Sequence, residues 1–274
     1  MGEQACFQRD HPAAAKQGGS HSPHRLTRPS PGNLMKRFLL DLANSLLVPA
    51  GVQLYRRGFD MKSGLKMIAN RQPGLATIID MGAARGHWSA MALSTFPQAR
   101  VIGVDPLRER EPYLAQLKAA NPRYDYVLAA AGTEDGGDIE ISVTADLDGS
   151  TVHGAEGERR MIPVRSIDGI VREKQATGPF FLKFDTHGFE RPILEGAGDT
   201  LAQTSYIVME TYNFRHTPDT LLFHEMIELL AAKGFRVLRL ADPMVRPSDQ
   251  ALWQVDLFFA RTDNPIFASE TYRG

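Results

Sequence analysis

The chain has 274 residues, enough for one ordinary α/β domain plus a tail. Its 31 basic residues are nearly matched by 32 acidic ones, so nothing in the composition marks a surface for nucleic acid or an anionic membrane. The single cysteine, Cys6, excludes an intramolecular disulfide framework, and no stretch approaches the roughly twenty apolar residues of a membrane span. The start of the chain also lacks the apolar core of a secretory signal, so a cytoplasmic protein is expected.

Residues 1–32 are rich in Ala, Gly, Ser, Pro, His and basic residues without periodicity, and are read as a disordered tail. The spacing of His11, His21 and His24 within it fits no compact metal site. Residues 33–74 are read as a helical cover. Leu34, Phe38, Leu39, Leu42, Leu46 and Leu47 make one helical stripe, and a second helix is predicted from about 58 to 70. Asp41 and the shortness of the stripe argue against a membrane-surface anchor.

The main domain is placed at 75–262, with a C-terminal tail over 263–274. A β-branched run, Thr77-Ile78-Ile79-Asp80, leads through Gly82, Ala83, Ala84 and Gly86 into an apolar pattern of helical period. This is a strand, a tight turn and a helix, and glycine lets a ligand approach the turn closely. A second strand ends at Asp105-Pro106, where a doubly wound sheet presents a carboxylate to a ribose diol. A dinucleotide site would want G-x-G-x-x-G, but the turn reads G-A-A-R-G. The D-x-G-x-x-x-G spacing points instead to S-adenosylmethionine.

A third strand over 124–130 ends in alanines, which leave room for a flat ring or simply pack closely. Residues 132–157 form an extra β-excursion with one alternating strand, Asp138 to Val143. Ser166 caps a short helix. A strand over 180–184 runs into Asp185, another covers 206–210, a helix covers about 219–233, and strands at 235–240 and 252–260 close the pattern. The alternation predicts a mostly parallel seven-stranded sheet with helices on both faces and an antiparallel last strand.

The run Lys183-Phe184-Asp185-Thr186-His187-Gly188-Phe189-Glu190, continuing to Leu194, Gly196 and Ala197, resembles the FkbM family of S-adenosylmethionine-dependent methyltransferases. That family's hallmark is K-x-D-x-x-G-x-E-x-x-x-L-x-G-A. The turn from Asp80 to Gly86 and the segment Val164 to Asp168 are similar to the family as well. The resemblance implies a class I methyltransferase fold and methyl transfer to a hydroxyl of a sugar, lipid or secondary metabolite. It implies that Asp80, Gly82, Ala83, Ala84 and Gly86 surround the cofactor's amino-acid end, that Asp105 and Pro106 meet its ribose, and that Asp185 faces the reacting centre. His187 stands where the family usually carries Glu or Gln, and Asp105 where Glu is frequent.

An alcohol must lose its proton as it attacks a methyl sulfonium, which a positioned His or carboxylate assists by roughly 10²–10⁴-fold. Asp185 and His187 are the candidates for orientation and proton acceptance. Each has a plainer alternative. Asp185, taken to be buried at its strand end, and Glu190 can charge a helix N-terminus, and His187 can merely bond backbone. Glu190 is read as structural, and Glu210 as either an acceptor-site group or the partner of Arg215. His216, His224 and the Tyr212–Phe214 aromatics are placed near the acceptor mouth with packing as their default role. A Mg²⁺-dependent variant using Asp185 and Glu210 is not favoured, since no Asp-Asp or Asp-Asn pair follows the fifth strand. The expected partner is a small-molecule or glycan acceptor, with no nucleic acid. The alternatives are a non-catalytic cofactor-binding relic and an NAD-dependent oxidoreductase.

Overall fold

The computed structural model describes residues 58–72, 74–152 and 157–272, together with Leu42. The tail over 1–32 with Cys6 and its histidines, and the rest of the stripe from Leu34 to Leu47, lie outside the described residues. A compact unit runs from Arg57 to Gly274. No helix among the described residues is long and apolar enough to cross a membrane.

The central sheet has seven strands. Using β1 Thr77–Met81, β2 Arg100–Asp105, β3 Tyr124–Leu128, β8 Phe180–Phe184, β9 Thr204–Tyr212, β10 Phe235–Val245 and β11 Leu252–Arg261, its order is β10-β11-β9-β8-β1-β2-β3. Strands β3, β2, β1, β8 and β9 pair in parallel, and β11 runs antiparallel to both neighbours. The chain leaves β1 toward β2 and β3, then returns to β1's other side with β8. Ligands bind at such a topological switch point, beyond the carboxyl ends of the strands.

The central strands are apolar on both faces because helices cover both. Successive residues of β1 enter opposite cores. Ile79 packs with Ile102, Leu182 and Phe184, while Ile78 packs with Val101, Phe181 and Phe258. The second core takes helices α1 Met61–Arg71, α2 His87–Thr95 and α3 Glu111–Ala120, through Leu65, Ile68, Leu93 and Leu114. The first takes α4 Ile167–Glu173, α5 Glu190–Glu195, α6 Gly198–Ala202 and α7 Phe223–Ala232. Ser166 caps α4 by accepting from the Gly169 N–H at 3.0 Å. Within the C-terminal segment, the Asn264 amide donates to the Tyr206 hydroxyl at 3.1 Å.

Three departures from the sequence reading have physical causes. The third strand stops at Leu128, and Ala130–Gly132 becomes β4 of a second sheet, ordered β4-β7-β5-β6 with β5 Asp138–Val143, β6 Thr151–Val152 and β7 Glu158–Ser166. The Ala129 N–H donates to the Asp105 carbonyl at 3.1 Å as the last rung of the first sheet, and Ala130 pairs with Val164 of β7 instead. The sequence predicts a polar helix over about 107–120; it begins as a 3₁₀ turn over Arg108–Arg110, and α3 starts where Pro112 can sit in its first turn. Strand β10 runs past Leu240 because a bulge absorbs Asp242-Pro243. There the Asp242 carboxylate accepts from the Met61 N–H at 2.9 Å, tying the bulge to the start of α1.

Candidate active site

A cavity of about 330 Å³ opens at the carboxyl ends of β1, β2, β8 and β9 and is roofed by the second sheet. Gly82, Ala84, Asp105, Pro106, Asp185 and His187 all line it. Asp80, Ala83 and Gly86 do not; Asp80 is buried beneath the turn, and Ala83 and Gly86 are buried residues of the turn itself.

The turn is shaped by three left-handed residues, Gly82 at φ 78°, Ala84 at 48° and Gly86 at 75°. The Gly82 and Ala83 N–H groups both donate to the Val104 carbonyl, at 2.9 and 3.1 Å. A Cβ on Gly82 would stand 2.0 Å from the Asp185 carbonyl oxygen, so the turn and the loop after β8 touch backbone to backbone. Gly86 ends the turn as the N-cap residue of α2.

Asp105 closes β2. Its Oδ2 accepts from the Ala84 N–H at 2.7 Å and its Oδ1 from the Leu107 N–H at 3.0 Å. Burial pushes its carboxyl up to about 6 against those two hydrogen bonds. Beside it Arg110, itself buried, donates to Asp148 on the excursion.

Beneath the turn, Asp80 is fully buried and accepts from the Ser89 hydroxyl at 2.6 Å. The Lys183 ammonium lies 3.0 Å from Asp80 and 3.2 Å from Asp185, and donates to the Gly82 carbonyl at 2.8 Å. The ammonium thus stands between two carboxylates while its hydrogen bonds go to backbone carbonyls. Burial would lower the Lys183 ammonium's pKa, but the two carboxylates outweigh it and hold it above its ordinary value. Burial would likewise raise the Asp185 carboxyl, and the Lys183 charge, with His187, holds it low. The Asp185 side chain itself is 40% exposed. This differs from the burial expected at a strand end, because strand β8 ends at Phe184, where the cavity begins.

His187 sits at φ 52°, with its carbonyl accepting from the Thr151 hydroxyl at 2.8 Å. Its Nε2 is 3.6 Å from Asp185 Oδ1 and its Nδ1 is 3.1 Å from the Tyr212 hydroxyl. Glu190 is buried and accepts from the Gly188 N–H at 3.0 Å and the Thr186 hydroxyl at 3.1 Å, so it pins the loop from behind. Glu210 accepts from the Tyr212 hydroxyl and the Gln254 amide. Burial and then the Asp185 charge push its carboxyl up to about 7. Asp256, opposite Glu210 on β11, is raised to about 7 by burial and by Glu210.

The pairing of Glu210 with Arg215 is not found. Arg215 donates to Glu225 of α7 and, at 2.6 Å, to the Thr220 carbonyl. It lies beyond the strand end, whereas Glu210 points across the sheet toward β11. Trp253 stacks on Phe214, with centroids 5.6 Å apart, and His216 lies 4.2 Å from the Tyr212 ring. His224 meets the edge of Phe223 and does not line the cavity. Asp185, His187 and Glu210 each offer one atom within 4.8 Å of the others, a spacing that can hold a cation, although Lys183 already supplies a positive charge to Asp185.

Two residues are named in the sequence reading without the roles they take here, Lys183 and Tyr212. Lys183 was visible as the one charge in an otherwise apolar strand, Phe180 to Phe184. Tyr212 lies two residues beyond Glu210 on β9 and so shares its face. The roof residues Leu147, Ser150, Thr151 and Val152 left no readable signal.

The sequence profile of the methyltransferase FkbM domain matches residues 80–237. No curated protein matches the chain. Among solved structures, 1,6-didemethyltoxoflavin-N1-methyltransferase of Burkholderia thailandensis is 16% identical, with 88% of this chain and 95% of that one covered at a TM-score of 0.42. A putative RNA methyltransferase of Pyrococcus horikoshii is 16% identical over 73% of this chain and 83% of its own, at 0.40. The N-methyltransferase NodS of Bradyrhizobium japonicum is 6% identical over 73% and 93%, at 0.42. The acceptors of these proteins differ, and the likeness carries no assignment of one here.

Proposed function

The chain belongs to the FkbM methyltransferase family, and from that premise we propose that it methylates a hydroxyl of a small molecule or glycan with S-adenosylmethionine as donor. The observation that carries this reading is one cavity lined both by cofactor-type residues, Gly82 and Asp105, and by an acid–base pair, Asp185 and His187.

The cavity fits the donor. Gly82 offers bare backbone at the wall. Each Asp105 oxygen takes one N–H and keeps further lone pairs for the two hydroxyls of a ribose. Val104, Ala129, Ala130 and Ala131 form a small apolar wall against which a flat base can lie. When bound, S-adenosylmethionine supplies an electrophilic methyl group on a sulfonium.

The residues of the chain do the rest. Asp185, kept ionised by Lys183, accepts a hydrogen bond from the acceptor hydroxyl and fixes its direction of approach. Such alignment can remove a large part of the barrier to an in-line displacement. His187 Nε2 takes the hydroxyl proton. Asp80, Ala83 and Gly86 act one layer back, holding Lys183 and the turn in place. The near balance of charge supports a small acceptor over nucleic acid.

Thermal unfolding with S-adenosylhomocysteine, S-adenosylmethionine and NAD in parallel tests this. A ligand that binds only the folded state raises its stability by RT ln(1 + [L]/Kd). Stabilisation by the two adenosyl ligands alone, lost in Asp105→Ala, is the expected outcome. Stabilisation by NAD alone, or by none of the three, overturns it.

A further inference from the structure

We propose that Tyr212 and Glu210 are positioning residues that hold His187 in the tautomer whose bare Nε2 faces the cavity. The proposal rests on the methyl-transfer reading for its purpose, while its geometry stands independently.

The direction of the hydrogen bonds follows from what each group can do. A carboxylate only accepts. Glu210 accepts from Tyr212 on Oε2 and from Gln254 on Oε1. With its hydrogen committed to Glu210, the Tyr212 oxygen can only accept from His187, whose Nδ1 is 3.1 Å away. Nδ1 therefore carries the ring hydrogen, and Nε2 is left with its lone pair.

The same geometry defines a gap. Nε2 stands 3.6 Å from Asp185 Oδ1, too far for a direct hydrogen bond. Two acceptors face each other there with no hydrogen between them. A group bearing a hydrogen, such as an acceptor hydroxyl, satisfies both in turn: its O–H points first at Asp185 or Nε2, and the proton ends on Nε2. The imidazolium so formed has Tyr212 on Nδ1 and Asp185 beside Nε2, and Glu210 Oε2 lies 3.7 Å from Nδ1.

The arrangement is held from several sides. Tyr212 is buried, and burial together with the Glu210 charge raises its pKa, so it stays a phenol. Its ring packs against His216 and against the edge of Trp253. The His187 backbone is pinned through its carbonyl by Thr151. The imidazole can therefore neither flip nor retreat without breaking other contacts. Residues that fix a histidine's tautomer through its second nitrogen decide which nitrogen reacts.

Long-range proton–nitrogen NMR on the full chain with ¹⁵N-labelled histidine tests the assignment, with His187→Gln identifying the His187 signals. On the alkaline side of the Glu210 midpoint near 7, wild-type His187 is expected to show hydrogen on Nδ1 and a bare Nε2. In Tyr212→Phe the preference is expected to shift toward Nε2–H by about tenfold, the worth of one hydrogen bond. Glu210→Gln, whose amide can donate as well as accept, is expected to give a mixture, and it serves if Tyr212→Phe does not fold. Hydrogen on Nε2 in the wild type, or a ratio unmoved in the folded variants, overturns the proposal. Calorimetry of wild-type protein with S-adenosylhomocysteine separates the two readings: absence of binding overturns the methyltransferase assignment and leaves the tautomer result standing.

Discussion

The Lys183 ammonium joins Asp80 to Asp185, 3.0 Å from the first and 3.2 Å from the second. One cation thereby neutralises a sealed carboxylate and sets the charge of one that faces the cavity. Lys183→Met removes the partner of a fully buried Asp80, and breaking a buried pair from one side costs about 3–5 kcal/mol. Chemical denaturation will show that loss. Asp80→Asn combined with Lys183→Met will recover part of it, because no unpaired buried charge then remains.

On the function proposed above, Asp105 is expected to make cofactor binding depend on pH. Its carboxyl is raised from 3.8 to about 6 in the folded protein. Between those values the folded chain holds a proton that the unfolded chain has released, so ionising Asp105 costs stability as pH rises through about 6. The cost is about 3 kcal/mol, from about 1.4 kcal/mol per pKa unit. Ribose hydroxyls donate to the ionised form, so affinity for S-adenosylhomocysteine will rise with pH through the same range. Calorimetry at about pH 5 will give about tenfold weaker binding than at about pH 7, and Asp105→Asn will flatten the difference.

Gly82→Ala will both unfold and disarm the protein. The position has φ 78°, and the new Cβ would overlap the Asp185 carbonyl oxygen. Strain of that kind costs about 1–3 kcal/mol before any steric overlap is counted. A lower unfolding temperature with loss of S-adenosylhomocysteine binding is expected. Gly74→Ala, where the added atom meets nothing within 4 Å, is the matching control.

Glu190 holds the His187 loop and touches no reacting atom. Removing its carboxylate leaves the Gly188 N–H without its acceptor, at about 1–3 kcal/mol. Glu190→Ala will lower stability by that amount, and Glu190→Gln, whose amide oxygen still accepts, will restore most of it. Urea denaturation of the two variants decides this.

The sheet was legible because its signals are local. β-branched runs ended by acids mark β1 and β2, an aromatic run leading into Asp185 marks β8, and the hallmark run fixes the loop after it. What escaped depends on distant pairing. Nothing beside Ala129 says that its N–H is claimed by Asp105, twenty-odd residues earlier, or that the strand changes sheets there. Asp242-Pro243 reads as a turn until Met61 is seen to bind the Asp242 carboxylate. The choice of Glu210's partner turned on Tyr212 and Gln254, the second of which lies on another strand. The apolar runs before them placed Asp105 and Asp185 at strand ends, but burial and neighbouring charge, which set their different acidities, exist only in the folded chain.

The passage of the chain from β3 into a second sheet at Ala130 gives the enzyme two separately adjustable halves. The seven-stranded sheet carries Gly82, Asp105, Asp185 and Glu210, whose positions are locked by parallel pairing and by a buried ion pair. The smaller sheet contributes Ile141, Thr151 and Val152 to the wall and meets the reacting loop through the Thr151 hydroxyl on the His187 carbonyl. Side chains on the small sheet can change size and polarity without disturbing a single rung of the larger one. Variation confined to Ile141 and Val152 would alter which molecules enter while leaving the Thr151–His187 contact in place.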